Sequence, residues 1–175
     1  MMLWLNYRRI TILHYLVTVF IYFALSSILL EPKPAVGASA ADGWVRIVIV
    51  NDEFDSAVSF LKSSIEEEGL TIANEGDVAD MMSRTKNAVD EPVTVYEKAH
   101  IFQFCSAKLG FKLFAAAPET LAACPLTIFA YELKGKAGDV YIGYRRPPKT
   151  TNERVDAAFK EVEALLARIV KRATE

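Results

Sequence analysis

Only two cysteines and two histidines occur among the 175 residues of the chain. That scarcity narrows the chemistry before any fold is considered. His14 falls inside an apolar run, which leaves His100 as the one histidine in the rest of the sequence. No Ser-His-acid arrangement and no cluster of metal ligands stands out, so a hydrolytic enzyme has no support. Asp77, Asp80, Asp90 and Glu91 read as loop and helix-face charges. Cys105 and Cys124 do not form a Cys-x-x-Cys pair, and thioredoxin-like activation is equally unsupported. An excess of positive charge is missing too. From Ala41 onward, 17 basic residues stand against 21 acidic ones, a formal charge of −4, and no basic stripe appears. Nucleic acid is therefore not an expected partner. Internal repeats are absent, and no cofactor motif occurs.

One stretch lacks charge altogether. Ile10 to Leu30 has no Asp, Glu, Lys or Arg and follows Arg8 and Arg9. Its length matches the roughly 20 residues needed to cross a bilayer as a helix. The preceding arginines place the rest of the chain outside the cytoplasm. The following "EPKPAVGASAADGW" is a Pro-, Ala- and Gly-rich spacer with a signal-peptidase-like "ASA" at Ala38–Ala40. Two readings stay open: a cleaved signal peptide, or an uncleaved anchor that makes the membrane a partner. Both give a periplasmic or other extracytoplasmic location. The chain divides into 1–30 (signal or anchor), 31–42 (linker) and 43–175 (folded domain).

The domain is rich in what a core needs, since 52% of the whole chain is apolar. "WVRIVIVN" (Trp44–Asn51) reads as a strand. Phe54, Val58, Leu61 and Ile65 then recur at helical spacing, with Asp52 or Asp55 as the expected cap and Gly69 as the stop. "LTIANEG" is a weak strand, and a short helix follows near Asp77. Lys98–Cys105 is expected to be a strand buried on both faces, and Ser106–Ala117 a helix capped by Ser106. "PLTIFAYEL" and "DVYIGYRR", joined by "KGKAGD", predict a hairpin. The last segment is a long amphipathic helix with Val155, Ala158, Phe159, Val162, Leu165, Leu166, Ile169 and Val170 as its stripe. Thr151 or Asn152 suits its cap. This order predicts an α+β two-layer sandwich: a mostly antiparallel sheet with helices on one face.

Topology then decides the chemistry of the cysteines. If the strands flanking Cys105 and Cys124 are antiparallel neighbours, the two residues meet at one end of the sheet, within reach of a disulfide's Cα separation of about 4.4–6.8 Å. A parallel βαβ unit would separate them by roughly 20 Å. The hairpin brings Thr127, Tyr144, Arg145 and Arg146 toward the same edge, where with Ser106 they would suit an anion. The alternatives are a structural staple, a redox pair or a soft-metal site. A metal would have to draw on Cys105, Cys124 and His100, yet His100 precedes Cys105 by an odd five residues and points to the other face of a regular strand. Met81 and Met82 read as core rather than as thioether ligands.

"FDSAVSFLKSSIEEEGLTI", "IFQFCSAKLGFKLFAAAPETLAACPLTIFAYE" and "GDVYIGYRRP" together resemble the DUF302 family, a domain of unknown function, over about Glu53 to Arg172. The resemblance is to an exported subgroup with paired cysteines. It implies a fold similar to the TATA-box-binding-protein type, strand, helix, four strands, helix, and therefore the close geometry for Cys105 and Cys124. It also implies a homodimer, and it brings no activity with it. The expectation is an exported, non-enzymatic module that binds a small anionic ligand or a protein and is stapled by a Cys105–Cys124 disulfide. The alternative is a periplasmic thiol-redox or copper-handling protein that works through the same two cysteines.

Overall fold

The computed structural model describes residues 43–90 and 92–175; the apolar segment at 1–30, the linker at 31–42 and Glu91 lie outside them. Among the described residues, no helix is long and apolar enough to cross a membrane. The elements run β1 (Val45–Asn51), α1 (Phe54–Glu67), β2 (Ile72–Asp77), α2 (Val78–Thr85), β3 (Tyr96–Phe104), α3 (Ala107–Ala116), β4 (Leu126–Leu133), β5 (Asp139–Arg145) and α4 (Glu153–Ala173). Short 3-10 turns occupy Lys86–Ala88 and Pro118–Ala123.

The five strands form one sheet in the order β1-β5-β4-β3-β2, and every pairing is antiparallel. Strands β2 to β5 meander, and β1 closes the far edge against β5. The β4–β5 turn needs two glycines, Gly135 and Gly138, at φ 77° and 87°, a region that costs side-chain-bearing residues strain.

Alternation along the strands explains why α1, α3 and α4 share one face. Phe102 and Phe104 of β3, Ile128 and Ala130 of β4, and Val140 and Ile142 of β5 point the same way into a single buried cluster. Leu61 and Ile65 of α1, Leu109 and Leu113 of α3, and the whole expected stripe of α4 complete that cluster. Glu68 accepts from both Arg168 (3.2 Å) and Arg172 (3.1 Å), which ties the end of α1 to the C-terminal half of α4. The opposite face carries Tyr96, Phe129, Tyr131 and Tyr141; the Tyr131 and Tyr141 rings stack with centroids 4.8 Å apart.

Three expectations change, and the choice left open for the α4 cap is resolved. Strand β3 begins at Tyr96; Phe102 and Phe104 are buried on its helix side, while on the other side Ala99 is buried and Ile101 and Gln103 are half-buried. Glu53, rather than Asp52 or Asp55, caps α1, its carboxylate accepting from the Ser56 amide at 2.9 Å. Asn152 caps α4 in preference to Thr151, accepting from Arg154 and Val155. Met81 and Met82 are not core residues; they are 44% and 38% exposed, because α2 buries none of its side chains.

Gly143 marks the tightest approach in the sheet. A Cβ there would lie 2.5 Å from the Arg46 carbonyl and 2.7 Å from the Phe129 ring. The first obstacle is backbone and cannot swing aside. Gly143→Ala is expected to lower the unfolding free energy by about 1–3 kcal/mol, the range for overpacked sites, read as a shift in the urea midpoint. An unchanged midpoint would show that Phe129 and β1 yield freely.

Candidate functional site

Because β3 and β4 run antiparallel, the segment between them leaves and re-enters the sheet at the same end. Cys105 and Cys124 are joined there by a disulfide, with their Cα atoms 6.1 Å apart. Cys105 is exposed and Cys124 half-buried. The bond closes the loop that holds α3 and the Pro118–Ala123 turn.

Beside that turn lies a cavity of about 1070 Å³, near the upper end of the range for ligand pockets. Its walls come from the Pro118–Ala123 turn, the starts of β1 and β4, the end of β5 with its loop to α4, and the N-terminal half of α4. The floor is apolar: Leu126, Val155, Phe159 and Val162 all belong to the buried cluster and also line the cavity. Trp44, 61% exposed, stands at the mouth, where its carbonyl accepts from the Arg146 amide at 2.8 Å.

The two adjacent arginines have separate fates, because neighbours on a strand point to opposite faces. Arg146 turns toward α4, donates to the Glu163 carboxylate at 2.8 Å and to the Gly43 carbonyl at 3.1 Å. The bond to Glu163 holds its guanidinium more firmly protonated than usual. Arg145 is exposed, and one of its nitrogens donates to the Pro125 carbonyl at 3.1 Å. Among the described residues it has no carboxylate partner, and a guanidinium has five N–H donors to offer. Lys149 also lines the cavity without an ion pair among those residues. Lys160 is paired with Asp156 at 3.0 Å.

Of the residues anticipated for a site, Thr127, Arg145 and Arg146 line this cavity. Tyr144 lies on the helix side, 3% exposed, in an adjoining groove with Arg46 and Glu163. Burial pushes its phenol up, the Glu163 carboxylate adds to this, and a hydrogen bond with Arg46 works the other way. The Ser106 hydroxyl caps α3 by accepting from the Leu109 amide at 3.4 Å, and does not line the cavity. His100 does not join the cysteines. It sits inside β3 with its ring nitrogen 3.1 Å from Glu75. Among the described residues, no three His, Cys, Asp or Glu side chains gather as a metal site.

Trp44, Lys149, Phe159 and Glu163 were not singled out as site residues. Phe159 and Glu163 stand four apart, on one face of α4, but only the sheet reveals that this face meets Arg146.

The model of DUF302, described as a domain of unknown function, matches residues 47–173. The chain belongs to the DUF302 family. No curated protein matches it. Among solved structures, the crystal structure of an uncharacterized conserved DUF302 protein from Bacillus stearothermophilus is similar, with a TM-score of 0.63 at 15% identity. The likeness covers 75% of this chain and 98% of that one. That chain therefore consists almost wholly of this fold.

The staple generates a stability prediction. The cysteines are 19 residues apart, and cross-linking a loop of that size stabilises by about 3 kcal/mol on chain entropy. Replacing both by serine in the DUF302 domain is expected to cost about that much in urea unfolding. Reduced wild type should match the double variant; a reduced protein as stable as the oxidised one would remove the staple's structural role.

Proposed function

We propose that this DUF302 chain is an exported binding protein that takes a small organic anion at the β4–β5 end of the sheet, with Arg145 as its anchor. One observation carries the reading: Arg145 borders a large cavity and has no carboxylate partner among the described residues, while its neighbour Arg146 is committed to Glu163. Lys149 adds a second cation without an ion pair among the described residues, and Thr127 also lines the cavity. A bidentate guanidinium is the side chain best matched to a carboxylate or phosphate. In this reading the protein does no covalent chemistry. The disulfide fixes the Pro118–Ala123 turn that forms one wall.

Export is supported by the apolar run at Ile10–Leu30 behind Arg8 and Arg9, and by a disulfide compatible with an oxidising compartment.

A second reading, thiol–disulfide exchange or Cu(I) handling by Cys105 and Cys124, is favoured by the exposure of Cys105, which leaves the bond within reach of a partner's thiolate. Release of two thiols by mild reductant in the folded state would favour it; a bond that resists would count for the staple.

Small organic anions should raise the unfolding temperature of domain 43–175, since a ligand that binds only the folded state stabilises it by mass action. Neutral amides of the same size should not. Arg145→Ala should abolish the shift while leaving the ligand-free unfolding temperature within a few degrees. Equal shifts in wild type and Arg145→Ala would remove Arg145 as the anchor.

A further inference from the structure

We infer that the anion is an amphipathic monocarboxylate, an acyl or aryl acid whose apolar part enters the cavity while its carboxylate stays at Arg145. This rests on the binding role proposed for the same cavity and goes further, because it names the ligand class.

Two independent features select that class. The first is charge. The cations Arg146 and Lys160 are already paired with Glu163 and Asp156. Arg145 and Lys149 remain, opposed at the rim by Glu119, which has no cationic partner among the described residues. The uncommitted balance is one positive charge, which suits a monoanion better than a doubly charged phosphate.

The second feature is the floor. Leu126, Val155, Phe159 and Val162 are core residues by burial, yet they face the cavity. Pro147 and Pro148 extend the apolar wall and offer no backbone N–H. The polar groups nearby are mostly spent. The Asn152 side chain caps α4, and the Thr120 hydroxyl donates to the Ala117 carbonyl at 2.7 Å. A ligand rich in hydroxyls would therefore lose its hydrogen bonds to water without replacement. An alkyl or aryl group loses nothing and covers apolar surface. Trp44, whose carbonyl accepts from the Arg146 amide, adds a large exposed side chain to the lining.

Trp44 also supplies the signal, because Trp4 lies outside the domain. Domain 43–175 with its disulfide intact would be titrated with acetate, hexanoate, octanoate and decanoate, with inorganic phosphate and decyltrimethylammonium as controls. Saturable changes in Trp44 emission are expected, and each two-carbon extension from hexanoate should tighten binding roughly tenfold, the value of two buried CH₂ groups. Phosphate and the cation should bind far more weakly. Ala122→Phe, which narrows the cavity from an exposed wall position and adds no second tryptophan, should flatten the chain-length series and leave the fold intact. Arg145→Ala should weaken every acid by a similar factor.

Equal affinities for acetate, phosphate and decanoate, all lost in Arg145→Ala, would overturn the amphipathic ligand and keep the anion site. Absence of binding by every anion would overturn both. A chain-length series unchanged by Ala122→Phe and Arg145→Ala would place the acids elsewhere on the surface and overturn the inference as well.

Discussion

The antiparallel pairing of β3 with β4 is the constraint on which the rest of this end of the molecule depends. It brings Phe104 opposite Leu126, so the chain that leaves β3 must come back to the same end of the sheet. That return fits α3 and the Pro118–Ala123 turn between two neighbouring strands, and it sets Cys105 within bonding distance of Cys124. A parallel arrangement would carry the two thiols to opposite ends. Staple, turn and cavity wall all follow from one pairing.

The cavity follows from a second constraint, the reach of the helices. The C-terminal half of α4 is fastened to α1 through Glu68, Arg168 and Arg172. Its N-terminal half extends past that fastening toward the β5 loop and the Pro118–Ala123 turn. There the small side chains of Ala117, Ala122 and Ala123 do not fill the gap. Lys112 reaches from α3 to Glu161 at 2.8 Å, and Arg146 reaches from β5 to Glu163, so the walls are braced from two sides. These braces are partly exposed and each contributes modestly; the buried stripe of α4 carries the larger share.

Most of the fold was legible in the sequence because periodicity and caps agree. The α4 stripe emerged residue for residue from its helical spacing, and the hairpin from its glycines. The misses have a common cause. Cap choice between Asp52, Glu53 and Asp55 turns on a chain direction that pattern does not encode. Met81 and Met82 were expected inside because they are apolar, but α2 lies where β2 has ended and presents them to solvent. For the site, the residues at the hairpin end were legible because antiparallel strands bring their ends together. Ser106 and Tyr144 were expected at the same edge, but Ser106 is engaged in the α3 cap and Tyr144 in the core; His100, expected to point away from Cys105, lies inside β3 beside Glu75. Phe159 and Glu163 were hidden because the contact that recruits them spans two elements.

The divergence of Arg145 and Arg146 is the most informative local result for function. Two adjacent arginines invite reading as a single basic patch, yet the pleat assigns them to different surroundings. Arg146 acquires Glu163, the Gly43 carbonyl and a place between strand and helix. Its charge is spent on holding the β1 and α4 sides of the cavity together. Arg145 spends a single N–H on Pro125 and keeps the rest. The same sequence motif therefore provides a brace and, in the proposed reading, the anchor. Lysine at 146 would keep the charge but lose the planar fork that bridges a carboxylate and a carbonyl at once. In the proposed reading, the pairing of Arg146 with Glu163 limits the positive charge left for a ligand: with Arg146 unpaired as well, the site would favour multiply charged anions.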